Sequence, residues 1–178
     1  LCGISVVLWC HPVREDHRMP QEATLVLIKP DAITRRLTGA VLSRLEALGL
    51  ALIGAKVVRV SEALAREHYQ PLRDKPFFEE LIRYLCGELH GVDAVLALVY
   101  AGPEAIQQVR RAAGATNPEA ADPTSIRGAY GRLTTTGLME NVLHASSDPQ
   151  EAQREIALWF RQEELLEPPS PKYLAVVS

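Results

Sequence analysis

Ala23-Thr24-Leu25-Val26-Leu27-Ile28-Lys29-Pro30-Asp31 is the stretch on which the fold turns. Its apolar run reads as a strand, and Pro30, which has no N–H to give a sheet ladder, ends it. Lys29 is left at the strand's mouth. Outward from there, Val41, Leu42, Leu45 and Leu48 fall at helical spacing between Thr38-Gly39 and a stop at Gly49, and Ala51 to Val60 reads as the next strand. Ser61 to Gln70 follows as a helix with Ser61 as its N-cap. Pro76 opens another, whose Phe78, Ile82 and Leu85 make a buried stripe while Phe77 points elsewhere. Asp93 to Gly102 is a third strand, and its nearly unbroken apolar run from Ala94 to Tyr100 predicts cover on both faces. A helix runs from Pro103 to about Gly114. Ala115 to Glu140, rich in Gly, Thr, Pro and Asn, reads as a long structured loop. Asn141 to Ser146 is the last strand. Asp148-Pro149-Gln150-Glu151 then starts a helix with a capping-box pattern that runs to about Phe160. The series predicts an α+β sandwich, helices covering a small, mainly antiparallel sheet.

The chain has 178 residues, 47% hydrophobic and 23% charged, a composition that excludes a disordered or collagen-like protein and suits a single domain. A net charge of −3 provides no global basic field for nucleic acid or anionic lipid, so neither is expected as a partner and any phosphate site must be local. Cys2, Cys10 and Cys86 are odd in number and lack a CxxC pair, which fits a reducing cytoplasm better than a disulfide framework. The apolar run Ile4 to Cys10 is far short of the ~20 residues that cross a bilayer, so no membrane span or signal peptide is expected. Leu1 to Arg18 has no period and reads as a non-core extension, with the domain occupying residues 19–178 and Met19 as a natural start.

Chemistry enters with the last helix. Ala152, Glu155, Ile156 and Trp159 occupy i, i+3, i+4 and i+7, so a carboxylate sits on the apolar stripe. Desolvating it is costly without a donor, and His144 on the preceding strand is a candidate. Such a pair would orient the imidazole and leave its other nitrogen free as nucleophile or base. Alternatively Glu155 snorkels at the stripe's edge, and His144 is a satisfied structural side chain. Arg110 and Arg111 either cap a helix electrostatically or serve a ligand. Arg127 in the long loop, near Thr116 and Asn117, offers a bidentate fork for a polyphosphate, and Lys29 adds a point charge. If these converge, Lys29, Arg110, Thr116 and Arg127 form a cationic clamp on phosphoryl groups. No GxxxxGK[ST], GxGxxG or GxSxG motif occurs, so side chains and metal must replace a glycine-rich cradle. The other histidines, His11, His17, His68 and His90, stand in polar surroundings without metal-ligand spacing, and solvated surface is expected for each.

Ile28-Lys29-Pro30-Asp31, Glu67-His68-Tyr69, Lys75-Pro76-Phe77-Phe78, Ala115-Thr116-Asn117-Pro118, Ile126-Arg127-Gly128 and Asn141-Val142-Leu143-His144-Ala145-Ser146 together resemble the nucleoside diphosphate kinases, in order and in spacing. The similarity runs from about Ala23 to Glu163-Glu164-Leu165. It implies a ferredoxin-like fold and transfer of a γ-phosphoryl group from a nucleoside triphosphate to a diphosphate, ping-pong through a phosphohistidine, with Mg²⁺ on the nucleotide phosphates. His144 matches the family nucleophile, Glu155 the acid that holds its ring, and Ser146 a supporting hydroxyl. Lys29, Tyr69, Arg110, Thr116 and Arg127 match phosphate-side groups, and Asn141 with Lys29 matches the ribose contacts. Phe77 matches the aromatic that stacks on the base, with Leu81 one turn on as its partner; a π-face accepts any base, so broad nucleotide specificity follows. The Asn117-Pro118 turn matches a loop used between subunits, which implies a homo-oligomer, either hexamer or tetramer. The chain departs from the family pattern in longer segments at Gly87 to Asp93 and Ala129 to Glu140, and in Ala129 and Ser147 where aspartates are usual. Two other functions are open to the same fold. One is a nucleotide-binding or scaffold protein impaired in turnover; the other is an RNA-binding sheet, which would need exposed strand aromatics where these strands carry Val, Leu, Ile and Ala.

Overall fold

Side chains alternate across a strand, so β1 (Gln21–Ile28) sends Leu25 and Leu27 to one face and Val26 and Ile28 to the other, and all four are fully buried. An unbroken apolar strand therefore needs cover on both sides, and the computed structural model, which describes residues 21–167, provides it. The expected extension Leu1 to Arg18 and the boundary at Met19 lie outside the described residues.

The remaining elements, in chain order, are α1 (Pro30–Thr34), α2 (Thr38–Glu46), β2 (Ala51–Arg59), α3 (Glu62–His68), α4 (Phe78–Leu85), β3 (Ala94–Pro103), α5 (Ala105–Ala113), α6 (Ile126–Tyr130), β4 (Arg132–Leu133), β5 (Met139–Glu140), β6 (Leu143–Ala145) and α7 (Pro149–Trp159). The main sheet has the order β2-β3-β1-β6 and every neighbouring pair is antiparallel. Leu25, Leu27 and Val99 meet Ala65 of α3, Ile82 and Leu85 of α4, and Trp159 of α7 on one face. On the other, Val26, Ile28 and Tyr100 meet Val41 and Leu45 of α2, Val109 of α5 and Ile126 of α6. The architecture is a ferredoxin-like α+β sandwich with helices on both faces. Burial of each such Leu, Ile or Val is worth about 1.5–3 kcal/mol.

Local signals hold where the sequence carried them. Ser61 Oγ accepts the Leu64 N–H at the start of α3, and Asp148 accepts the Glu151 N–H at the start of α7, where the expected capping box is only half formed because the Glu151 carboxylate accepts from Arg154 and not from the Asp148 N–H. Three segments differ from expectation. Pro30 does more than end β1: it is the first residue of α1, where a missing N–H is harmless. Helix α4 begins at Phe78, with Phe77 as its N-cap residue, two positions after Pro76. The long loop is subdivided by a 3₁₀ turn at Pro118–Ala120, by α6 with Ser125 as its N-cap, and by the β4–β5 hairpin. Elements of two to five residues have too few positions to show a period.

Candidate functional site

Leu143 and Ala145 of β6 face the core, so His144 between them must face the other way, toward α3 and α7. There its Nε2 lies 2.9 Å from Glu155 Oε1. The nitrogen is buried and, despite the short distance, off the hydrogen-bond line to that oxygen. Glu155 is held from behind. Ser146 Oγ donates to its Oε2 at 2.6 Å and accepts the Leu25 N–H at 3.1 Å, so both directions of the hydroxyl are committed. Glu155 therefore pairs and does not snorkel. Burial lifts its carboxyl above the usual range, with the Ser146 hydrogen bond and the Arg154 charge opposing. Burial, followed by the charges of Lys29 and Arg127, holds His144 well below the ordinary imidazole value, so the ring is neutral.

His144 opens onto a cavity of about 470 Å³ that is lined by every candidate residue except Ser146: Lys29, Tyr69, Phe77, Leu81, Arg110, Thr116, Arg127, Asn141, His144 and Glu155. Ser146 is fully buried and meets the cavity only by way of its hydrogen bond to Glu155. Lys29, at the end of β1, donates from Nζ to Asn141 Oδ1 at 2.8 Å, and Asn141 Nδ2 donates to the Thr116 carbonyl at 3.1 Å. Burial and then the neighbouring Arg127 charge lower the Lys29 ammonium to about 7, against the pull of Asp31. Arg127 is less free than the sequence suggested. Its terminal nitrogens donate to the Gly114 and Leu143 carbonyls at 2.7 and 3.0 Å, which leaves Nε buried without a partner. Gly128 makes this placement possible, because a Cβ there would run into the Asp122 carbonyl. Burial, then the Arg110 charge, lowers the Arg127 guanidinium to about 10. At the other end Phe77 is 47% exposed, with Leu81 beside it and Leu138 and Met139 of the hairpin in the same wall.

Val142 joins these parts at a strained point. Its φ is +70°, a conformation that for a β-branched residue costs on the order of 1–3 kcal/mol. The end of β1 holds it there: Val142 N–H donates to Asp31 Oδ2 at 3.1 Å and its carbonyl accepts the Lys29 N–H at 2.9 Å. Asp31 was not a candidate from sequence, although it lies in the quoted Lys29-Pro30-Asp31 run.

Two histidines contradict their sequence expectation. His68 is 2% exposed, accepts the Trp159 indole N–H on Nδ1 at 3.2 Å, and sets its ring edge-to-face with His144 at 4.5 Å between centroids. His90 is also buried at its side chain, with Nε2 3.0 Å from Glu140 Oε1. Each has a polar partner supplied by a distant segment, which flanking residues cannot reveal. His11 and His17 lie outside the described residues. Among the described residues, His68, His144 and Glu155 are the one group whose donor atoms, within 4.8 Å of one another, could hold a metal. Two imidazoles and one carboxylate suit a hard, oxygen-seeking ion such as Mg²⁺ poorly. A larger groove of about 730 Å³ along Ile106, Ile156 and Phe160 gathers no comparable set of cations.

The nucleoside diphosphate kinase family profile matches residues 22–165. The Symbiobacterium thermophilum nucleoside diphosphate kinase is 45% identical over 143 residues, 80% of this chain and 89% of that protein. The Pyrococcus horikoshii enzyme is 44% identical over 148 residues, 83% and 90% of the two chains. Among solved structures, a transition-state mimic of the Borrelia burgdorferi kinase with bound vanadate and ADP superposes with a TM-score of 0.77 at 33% identity, covering 87% of this chain and 96% of that one. A Halobacterium salinarum kinase in complex with CDP gives 0.77 at 38% identity, covering 89% and 100%. With profile, sequence relatives and backbone in agreement over nearly all described residues, the chain belongs to the nucleoside diphosphate kinase family.

Proposed function

We propose that this kinase moves the γ-phosphoryl group of a nucleoside triphosphate to a nucleoside diphosphate in two half-reactions through a phosphohistidine on His144. The supporting observation is the neutral imidazole whose Nε2 faces Glu155 beside a cavity that also holds Lys29, Arg110 and Arg127. With Nε2 carrying the ring proton toward the carboxylate, the Nδ1 lone pair attacks the γ-phosphorus. The N–P bond forms, the bond to the β-phosphate oxygen breaks, and the diphosphate leaves. A second diphosphate returns by the reverse path. Glu155 steadies the positive charge that grows on the ring. Lys29, Tyr69, Arg110, Thr116 and Arg127 bind the phosphates, Asn141 and Lys29 the ribose hydroxyls, and Phe77 with Leu81 the base. Mg²⁺, carried in on the nucleotide because the pocket has no oxygen cage for it, neutralises phosphate charge when bound.

A homo-oligomer, tetramer or hexamer, is part of this proposal; the edge strand β2, with Val57 73% exposed, supports association. So is a cytoplasmic setting, suggested by cysteine usage; no helix among the described residues is long and apolar enough to cross a membrane. Incubation with γ-labelled ATP should put an acid-labile, alkali-stable label on His144 that chases onto added GDP as GTP. A folded protein that binds nucleotide but never labels would instead be the impaired binding protein.

A further inference from the structure

Arg154, on α7 immediately before Glu155, faces neither solvent alone nor the cavity: it reaches across to the end of α3. Its Nη1 and Nη2 donate to the Glu67 and His68 carbonyls at 3.1 and 3.0 Å. These are among the carbonyls that a helix end leaves without an internal partner, at the terminus where a cation is also favoured. Glu151, one turn back on α7, accepts from Arg154 Nη2 at 2.7 Å and fixes the guanidinium from the other side. Further along α7, Glu155 Oε1 lies 4.0 Å from His68 Nδ1, and Trp159 donates its indole N–H to that same nitrogen. Together they dock α3 onto α7 at the two residues that matter to the site, His68, whose ring braces His144, and Tyr69, which lines the cavity.

We propose that Arg154 is a positioning residue for phosphoryl transfer: by tying the α3 terminus to α7 it holds His68 against the nucleophile and Tyr69 at the phosphate end of the cavity. It touches no reacting atom, and the charge it places 4.0 Å from Glu155 Oε1 is kept in R154K and lost in R154M, so the lysine variant separates docking from charge. Its planar fork spreads its donors over two carbonyls and one carboxylate on two helices, whereas an ammonium gathers its donors on a single atom and does not span the same positions, so lysine is an incomplete substitute. The proposal rests on His144 as the phosphorylated residue.

The test compares R154M, R154K and wild type in single-turnover phosphorylation by ATP, with thermal unfolding and the Trp159 indole N–H resonance as companions. Displacement of a positioned ring is worth up to about 10²-fold, so R154M should phosphorylate about 10- to 100-fold more slowly and R154K should fall between. The loss should lie in the rate at saturation, with the half-saturating ATP concentration changed less, and the indole resonance should move. Folded variants that phosphorylate at the wild-type rate, even with lowered unfolding temperature, overturn the proposal, and a folded R154K with wild-type kinetics does so if R154M cannot be folded. If wild type itself takes no label, the phosphohistidine assignment fails first and this proposal falls with it, a result distinct from labelled but unaffected variants.

Discussion

Glu155→Gln changes one atom and should reverse the polarity of the site. In the native protein Ser146 Oγ accepts the Leu25 N–H and gives its own proton to Glu155, the acceptor that this buried hydroxyl has, so residue 155 must keep an oxygen on that side. A glutamine there must turn its carbonyl toward Ser146 and its NH₂ toward His144 Nε2. An NH₂ can only donate, so Nε2 becomes the acceptor and the ring proton moves to Nδ1, the atom proposed to attack. Returning to the productive tautomer strands the buried Ser146 hydroxyl, at about 1–3 kcal/mol. Loss of the carboxylate charge beside the developing imidazolium removes roughly 1–2 kcal/mol more. Together these slow phosphorylation of His144 by roughly 30- to 5,000-fold, while burial of a neutral amide in place of a carboxylate spares the fold. Single-turnover labelling measures the rate, and ¹⁵N spectra of the imidazole report which nitrogen carries the proton. The double variant S146A/E155Q frees the amide to turn and should be faster than E155Q alone. A proton still on Nε2 in E155Q, or a double variant as slow as the single, would refute the reasoning.

Three further outcomes are expected. Lys29 titrates at about 7 in the folded protein against an ordinary 10.5. Below about pH 7 both folded and unfolded states hold its proton and the full burial penalty is felt; as pH rises the folded state sheds it first, so this group makes the unliganded protein more stable between about pH 7 and 10.5. Denaturant titrations of wild type against K29M should show that gain only in wild type, and ADP binding near pH 8 should take up protons in calorimetry; net release would contradict it. Phe77→Ala should weaken binding of adenine, guanine, cytosine and uracil nucleotides alike, by about 5- to 150-fold for a lost stacking energy of ~1–3 kcal/mol, and selective loss of one base would argue against stacking. A chain that starts at Met19 should keep full activity, and failure of that truncation to fold would place Leu1 to Arg18 in the core.

Legibility in the sequence followed the length of each element. β1, β3 and α7 run long enough for period and punctuation to speak, and the carboxylate on the α7 stripe pointed to His144 because strand, turn and helix bring residues 144 and 155 together within a single local unit. Helix α6 and the β4–β5 hairpin are too short for that, and the Ser125 side chain that caps α6 is one polar residue among many in the long loop. His68 stands among Arg66 and Glu67 and so reads as polar, yet Ala65 and Tyr69 flank it on one helical face, which is the pattern of a buried stripe. His90 and Arg127 could not be placed, since Glu140 and the carbonyls of Gly114 and Leu143 reach them only through tertiary folding.

The bonds from Lys29 and Asp31 to Asn141 and Val142 span 112 and 111 residues. During synthesis the first pair leaves the ribosome long before the second exists, so Lys29 has no Asn141 to rest on and Asp31 has no Val142 N–H to accept. The arrangement of the site is thus withheld from every nascent chain until β6 and α7 emerge, and a ribosome-bound intermediate that already holds β1, β2 and β3 contains most of the sheet but neither His144, the proposed nucleophile, nor Glu155.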